Sequence, residues 1–228
     1  PVRGRSILPM LVLVPLLGGC AGSLSALDPA GPAAAAVATL WWVMFWAAVV
    51  LFVLVGGLLW FVWKRPGFGA SMTPMRWIIW GGLVMPGILL TALVSYALFI
   101  GERLLPHGLA QTPTRVVAHG VQWQWQFSYP DAADVKGTPI LHIPAGEPVD
   151  VIVTSGDVIH SFWVPRLAGK IDAIPGHENT IRIQADRPGT YRGVCAEFCG
   201  SGHTDMRFTI EAHDRAAFDT LMRELSDG

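Results

Sequence analysis

Apolar residues dominate the first hundred positions, where they form three runs separated by short polar stretches. The run over residues 7–19 is too short to cross a hydrocarbon layer of ~30 Å as a helix. The runs over residues 30–63 and 77–100 contain no charged residue, and each is long enough to cross. We therefore predict a two-helix transmembrane hairpin over residues 37–100, preceded by a linker over residues 20–36. Tryptophans gather near the helix ends, as expected at membrane interfaces: Trp41, Trp42, Trp46, Trp60, Trp63, Trp77 and Trp80.

Beyond Glu102 the pattern changes to short runs rich in Val, Ile, Thr and aromatic residues, separated by Gly, Pro and Asp. This spacing predicts an antiparallel sandwich or Greek-key barrel. Phe218, Leu221, Met222 and Leu225 recur at helical spacing, which predicts a final helix packed against the sheet. The predicted strands cover residues 115–121, 122–129, 140–143, 149–155, 161–164, 180–185, 190–194 and 206–212, and the predicted helix covers residues 214–225.

Charge is distributed unevenly along the chain. Five Lys and Arg residues and one acid precede Gly101, so the formal net charge of −1 leaves −5 to the remainder, which also holds all seven histidines. With 52% hydrophobic and 14% charged residues, the composition argues against a disordered or nucleic-acid-binding protein. Positive residues between the two apolar runs predict a cytoplasmic loop, with both ends of the hairpin outside. Pro86 and Gly87 predict a bend in the second helix.

The short first run predicts a processed leader. It follows Arg3 and Arg5 and ends in Leu17-Gly18-Gly19-Cys20, which resembles a bacterial lipoprotein cleavage site. We therefore expect a lipoprotein-type signal peptide over residues 1–19, with lipid attached to Cys20. An ordinary signal peptide cut nearby, or an uncut leader, remains the alternative.

The segment from Cys195 to Met206 contains two thiols, an imidazole and a thioether within twelve residues: Cys195, Cys199, His203 and Met206. Soft sulfur combined with imidazole is the ligand set that copper prefers. Glycines at 193, 200 and 202 permit a tightly folded loop in which these side chains converge. Upstream, Asp157 and His160 lie on a predicted turn between two strands, which adds a second histidine.

Three other interpretations of the cysteines compete with this one. Cys195 and Cys199 could form a disulfide in an oxidising compartment. A zinc site is disfavoured by the methionine, because zinc takes Cys, His and carboxylate ligands. A single blue-copper atom needs one Cys and two His, which leaves one thiol over. Two coppers bridged by both thiolates use every ligand.

The pattern Cys-x-Glu-x-Cys-Gly-x-x-His-x-x-Met, together with the earlier Asp-x-x-His-Ser-Phe, resembles the binuclear CuA site of cytochrome c oxidase subunit II. The resemblance extends over about 190 residues, including residues 122–127 and 170–176, and implies a cupredoxin-like CuA domain over residues 101–228, on the periplasmic side of a bacterial inner membrane. It implies that both thiolates bridge two copper ions. His160 and Met206 would complete one copper, and His203 with the backbone carbonyl of Glu197 the other. The Glu197 carboxylate would face a magnesium ion at the interface with subunit I.

The same resemblance implies a function and partners. The domain would accept electrons from cytochrome c and pass them to haem in subunit I, where the haems and CuB reduce oxygen with proton pumping. Trp123 would be the residue at which electrons enter, although Gln124 replaces the tyrosine frequent between the two tryptophans. Trp125 is expected in the core, Asp157 in a docking patch for a basic cytochrome c, and His119 and His142 as hydrogen-bonded or surface residues of strands.

Other functions are possible for such a chain. A quinol oxidase subunit II uses the same fold as a structural partner without copper, but it lacks the Cys and Met ligands present here. A membrane-tethered copper carrier would expose more Met and His. A nitrous oxide reductase would need a second, larger catalytic domain.

Overall fold

The computed structural model describes residues 19–105, 112–131 and 137–227. The chain divides into two compact units, of which one holds residues 39–105 and the other holds the remainder. The predicted signal peptide lies outside the described residues except for Gly19. The predicted division into linker, hairpin and domain therefore needs one correction, because the described residues before 39 belong to the same unit as the β-strands.

Most of the described residues up to Leu105 belong to two long helices, α1 (Pro32–Lys64) and α3 (Met85–Leu104). A short helix, α2 (Pro74–Trp77), and a π-helical segment (Ile78–Val84) lead directly into α3. The stretches Pro32–Lys64 and Pro74–Glu102 are both long and apolar enough to cross a membrane. Helix α1 begins at Pro32, five residues before the predicted span, so the end of the predicted linker is helical.

The helical hydrogen-bond pattern changes immediately before Pro86. The backbone N–H of Met85 bonds to the carbonyl of Trp80, five residues earlier, instead of the usual four. Proline has no N–H and its ring crowds the carbonyl four residues before it, so the preceding turn widens to the π form. A π-helical segment of seven residues therefore precedes Pro86, and the predicted bend itself stays a prediction.

The second unit is a cupredoxin-like Greek-key sandwich of two sheets. One sheet has the order β2-β1-β4-β7 and the other the order β3-β9-β8-β5-β6. The strands are β1 (Thr114–Val121), β2 (Gln124–Ser128), β3 (Ile140–Pro144), β4 (Val149–Ser155), β5 (His160–Trp163), β6 (Lys170–Ala173), β7 (Asn179–Ile183), β8 (Gly189–Cys195) and β9 (Arg207–His213).

Two strand pairs correct the expectation of an antiparallel sandwich. β1 pairs with β4 in parallel, and β3 pairs with β9 in parallel. Each pair is separated by a long stretch of chain that crosses to the other sheet, which is how Greek-key connections bring parallel strands together. Strand β6 was not predicted, because Lys170–Ala173 is only four residues long, which is at the lower limit for alternation to indicate a strand.

The core lies between the sheets. Along β4, Val149, Val151 and Val153 are fully buried while the residues between them are partly exposed, as a strand with one covered face requires. Burial of each such side chain contributes roughly 1.5–3 kcal/mol. The final helix, α4 (Arg215–Asp227), buries Phe218 and contacts β3 and β9, which confirms the predicted closing helix.

The segment before the first apolar helix is attached to the sandwich. The N–H of Ala30 donates to the carbonyl of Arg166, and the N–H of Asp186 donates to the carbonyl of Ala30. The guanidinium of Arg166 reaches the Asp28 carboxylate at 3.2 Å. An added Cβ at Gly31 would overlap the Gln184 carbonyl, so only glycine permits this approach. Residues 28–34 are thus a strap on the domain, not the free linker that the sequence predicted.

Candidate metal centre

The metal-binding segment is held at both ends by strand pairing. Cys195 ends β8 and Met206 directly precedes β9, and the Cys195 N–H donates to the Met206 carbonyl at 2.9 Å. The next amide, Ala196, donates to the carbonyl of Ser161 in β5. Gly200 adopts φ +117°, a left-handed conformation that a side chain would strain. The loop between the strands therefore folds back on itself over the end of the second sheet.

Five predicted ligands converge at this loop. The two thiol sulfurs lie 3.9 Å apart, and the Cys195 sulfur lies 3.9 Å from Nδ1 of His160. The Cys199 sulfur lies 3.6 Å from Nδ1 of His203 and 3.7 Å from the Met206 sulfur. His160 is the first residue of β5, so the prediction that it lies on a turn was wrong by one position.

Glu197 contributes its backbone to the cluster. Its carbonyl oxygen lies 3.2 Å from the Cys195 sulfur, whereas its side chain is exposed. The carbonyl thus lies beside the thiols, and its role as a metal ligand stays a prediction. Among the described residues, Glu197 does not belong to any group of three candidate metal ligands. The magnesium ion expected at its carboxylate stays a prediction.

The two candidate histidine ligands differ in solvent exposure. His160, Cys195, Cys199 and Met206 are buried, whereas His203 is half-buried and its ring packs against Phe198, whose side chain is 76% exposed. Burial in the absence of metal raises the pKa of the Cys199 thiol to about 11, and the neighbouring Cys195 adds to the rise. The Cys199 thiol is therefore protonated at neutral pH, and a metal that binds there must displace that proton.

Asp157 contacts His160 from the outer side. Its carboxylate accepts hydrogen bonds from Nε2 of His160 at 2.8 Å and from the backbone N–H groups of Gln122 and Val158. Partial desolvation raises the pKa of Asp157, but these three hydrogen bonds outweigh it and lower the pKa to about 2. The carboxylate is ionised at neutral pH and orients Nδ1 of His160 towards the thiols. Its predicted role in docking stays a prediction.

Trp123 lies directly on the loop. Its Nε1 donates to the Cys199 carbonyl at 3.2 Å, and 42% of the residue is exposed. The side-chain amide of Gln122 donates to the same carbonyl at 2.8 Å. The indole covers Gly202 so closely that an added Cβ would lie 2.5 Å from the ring. Sequence reasoning named Trp123 but gave Gln122 no role.

The remaining predicted residues lie where packing requires. Trp125 is 3% exposed and contacts the rings of Phe162 and Phe208 edge-on or tilted, which confirms its place in the core. His119 bonds to the Thr154 hydroxyl at 2.9 Å. Cys20 is exposed. His142 is hydrogen-bonded on a strand as expected, but it also belongs to a cluster that the sequence did not indicate.

The donor set fits copper better than the alternatives. The cysteines are free, and 3.9 Å between the sulfurs is far from a disulfide bond of ~2.0 Å. The same separation is shorter than two metal–sulfur bonds of ~2.3 Å, so one metal can contact both thiolates. The buried thioether of Met206, 3.7 Å from Cys199, is a ligand that copper accepts and zinc does not favour.

The chain is similar to known oxidase subunits. The family model of the cytochrome c oxidase subunit II periplasmic domain matches residues 138–213. Cytochrome c oxidase subunit 2 of Alkalihalophilus pseudofirmus is 31% identical, with 96% of this chain and 68% of that protein covered. Quinol oxidase subunit 2 of Bacillus cereus is 30% identical, with 97% of this chain and 79% of that protein covered.

One solved structure that is similar to this chain is the periplasmic domain of subunit II of cytochrome oxidase of Bradyrhizobium japonicum. It is 27% identical and covers 53% of this chain and 98% of its own, with a TM-score of 0.48. The match to the Alkalihalophilus protein, which covers most of this chain and more than two thirds of that protein, is the finding that assigns the family. The chain belongs to the cytochrome c oxidase subunit II family.

Proposed function

We propose that this chain is the electron-accepting subunit of a cytochrome c oxidase. It would receive electrons from cytochrome c at a binuclear CuA centre and deliver them to haem in subunit I, which reduces oxygen to water and pumps protons. The observation that carries the proposal is the convergence of two thiols, two imidazoles and a thioether at one loop. Bound copper supplies a one-electron carrier at this position.

The ligands have distinct tasks. Cys195 and Cys199 would bridge the two ions, with His160 and Met206 on one and His203 and the Glu197 carbonyl on the other. The short loop and the paired strand ends fix these atoms before metal binds, which favours a site whose geometry changes little between oxidation states. Burial of four ligands excludes water, so the described residues leave no open position for substrate chemistry.

Trp123 is the residue at which electrons would enter. Its indole is exposed on one side, and on the other it donates a hydrogen bond to the carbonyl of the ligand Cys199. A π-system that joins the surface to a ligand residue shortens the distance over which an electron must tunnel. Trp125, which is buried, would serve packing instead.

The partner surface would be acidic. Formal charge on the chain beyond Gly101 is negative, and Asp157 lies beside His160 with part of its carboxylate exposed. A basic cytochrome c would therefore be steered to this side, and added salt would weaken the reaction because the Debye length falls to ~10 Å at 0.1 M. A turnover rate indifferent to ionic strength would instead indicate a tethered or apolar donor.

Membrane placement follows from the strap and the positive loop. Residues 28–34 pack on the β-sandwich, which supports the proposal that the start of α1 and the sandwich lie on the same side of the membrane. Two spans satisfy that requirement, and Lys64, Arg65 and Arg76 favour a cytoplasmic loop between them. The sandwich and both termini would then face the periplasm of a bacterial inner membrane, with lipid on Cys20. Mass spectrometry of the mature chain tests the lipid: an unmodified start elsewhere contradicts it.

The quinol oxidase alternative has a specific observation in its favour, because a quinol oxidase subunit 2 matches almost as well as the cytochrome c oxidase relative. Copper binding separates the two functions. We expect the purified full chain to bind two coppers and turn purple, the colour of a mixed-valence pair. A chain that binds no copper would indicate the quinol oxidase function, and a colourless copper complex would indicate a carrier.

The role of Trp123 is tested by rapid mixing of the copper-loaded chain with reduced cytochrome c. Trp123→Gln should leave the copper spectrum and cytochrome c affinity nearly unchanged and slow copper reduction severely. Trp125→Phe is the control and should change the rate much less, since the ring stays aromatic and buried. A normal rate in Trp123→Gln would place electron transfer elsewhere, and loss of copper would make Trp123 a structural residue.

A further inference from the structure

A second cluster of metal-ligating side chains lies at the opposite end of β9 from Met206. Nδ1 of His142 lies 3.0 Å from Nε2 of His213 and 3.7 Å from a carboxylate oxygen of Glu211. Nε2 of His213 lies 4.0 Å from the same oxygen. Within the described parts of the chain, this group and His160–Cys195–Cys199 are the two in which at least three candidate ligands converge.

Strand register brings the three residues to one face. β3 and β9 run in parallel, with His142 opposite Glu211 and Pro144 opposite His213. Leu141 and Ile143 on β3 point into the core, as do Ile210 and Ala212 on β9, so the residues between them point outward. His213 follows Glu211 by two positions and therefore shares its face.

The backbone beneath His142 is held tightly. The Tyr129 hydroxyl accepts a hydrogen bond from the His142 N–H at 2.7 Å and donates to the His142 carbonyl at 3.0 Å. Tyr129 is itself buried in the core. A ligand on such a scaffold keeps its position, which is what a preorganised metal site requires.

We infer that His142, Glu211 and His213 form a zinc site with one open coordination position. Two imidazoles and a carboxylate are a set that zinc binds with a water as the fourth ligand. Tetrahedral bonds of ~2.0–2.1 Å place ligand atoms about 3.3 Å apart, and the three observed separations of 3.0, 3.7 and 4.0 Å bracket that value closely enough for small side-chain rotations to close the site.

This site is separate from the copper centre in both place and chemistry. Met206 directly precedes β9 and His213 is the last residue of β9. The two are seven residues apart, which is ~23 Å of extended chain. The cluster contains no sulfur, so it lacks the soft ligands that select copper(I). β3 is the outer strand of its sheet. Zinc at this position would link the outer strand to β9, and the partly exposed Glu211 leaves the fourth ligand accessible to solvent.

The test uses the full chain in detergent, with Cys195→Ser and Cys199→Ser so that the thiols of the first site cannot capture zinc. Titration calorimetry with Zn²⁺ should show one equivalent that disappears in both His142→Gln and His213→Gln. His177→Gln is the matched control, because His177 is an exposed histidine outside both clusters, and it should retain that equivalent. Circular dichroism establishes that each variant is folded.

A second measurement does not depend on any variant. Crystals of the unsubstituted chain soaked in Zn²⁺ should show an anomalous peak between Nδ1 of His142 and Nε2 of His213. The absence of that peak, or zinc stoichiometry that is the same in the parent and in His213→Gln, would overturn the inference. The three residues would then be a histidine pair joined by a hydrogen bond beside a carboxylate.

Discussion

Asp157 accepts a hydrogen bond from Nε2 of His160 at 2.8 Å, which leaves Nδ1 of that ring, 3.9 Å from the Cys195 sulfur, to bind metal. A carboxylate behind a ligating histidine fixes its tautomer and increases its basicity. Two backbone amides hold the carboxylate in turn. The orientation of a buried ligand is therefore set from the partly exposed surface.

Asp157→Asn tests this relationship. The variant keeps the size of the side chain but removes the charge, so copper affinity should fall about 10–100-fold and the reduction potential should rise. Competition with a chelator and a redox titration measure the two effects. Asp172→Asn is the control, because Asp172 is paired with Lys170 on β6. Equal affinity and potential in both variants would contradict the role of Asp157.

Met206 and Cys199 should differ in consequence although their sulfurs lie 3.7 Å apart. Met206→Leu should keep two coppers bound and alter their electronics, because a thioether is a weak axial ligand that tunes potential. Cys199→Ser should destroy the binuclear centre, because it removes a bridge. Copper analysis and absorption spectra compare them. The same copper content and spectrum in both would refute this hierarchy of ligands.

Gly202→Ala tests the contact between the loop and Trp123. The new methyl group would lie 2.5 Å from the indole, so the ring must move outward. We expect the copper spectrum to persist while reduction by cytochrome c slows. Gly169→Ala provides the control, since a Cβ there meets no atom within 4 Å. Unchanged kinetics in Gly202→Ala would show that the position of the ring is unimportant.

Copper loading should release protons. The pKa of Cys199 stands at about 11 in the metal-free site, so its thiol is protonated at neutral pH and must lose the proton when copper binds. Apparent copper affinity should therefore rise with pH between 6 and 9, roughly tenfold per unit for each proton released. Loading in weakly buffered solution with a pH indicator measures the release, and Cys199→Ser is the comparison. Affinity that does not change with pH would indicate a thiolate already formed.

Gly31→Ala should detach the strap. The methyl group overlaps the Gln184 carbonyl, and displacement breaks the two backbone hydrogen bonds of Ala30. At about 1 kcal/mol net for each bond, the domain should lose roughly 1–3 kcal/mol of stability. Urea unfolding followed by tryptophan fluorescence measures the loss, with Gly169→Ala as reference. No difference between the two variants would show that the strap adds no stability.

The sequence was informative where chemistry or periodicity is local. Cys195, Cys199, His203 and Met206 lie within twelve residues, so their convergence needed only a tight loop. The bounds predicted for β4, residues 149–155, are those observed, since its burial pattern repeats every second position. The two apolar runs likewise predicted the two long helices, because length and absence of charge are enough to identify a helix that could cross a membrane.

Contacts between distant segments were not predictable in the same way. His142 and His213 are 71 residues apart and meet only because β3 and β9 pair in parallel. Gln122 and Asp157 meet across 35 residues, and nothing in either neighbourhood indicates the other. The strap resembled a linker because alanine and proline are common to both, and what distinguishes it is its contacts with Arg166, Gln184 and Asp186, which lie far along the chain.

The strap has a consequence for the order of folding. Asp28 and Arg166 are 138 residues apart, and both membrane spans lie between them. The segment that carries Asp28 leaves the ribosome long before the strands that receive it have been made, so it stays unpaired until those strands exist. Its docking closes a loop of 138 residues after the sandwich exists. A fragment that begins after the spans would lack the strap. The Arg166 carbonyl and the Asp186 N–H, which bond to Ala30 in the full chain, would then be exposed to water.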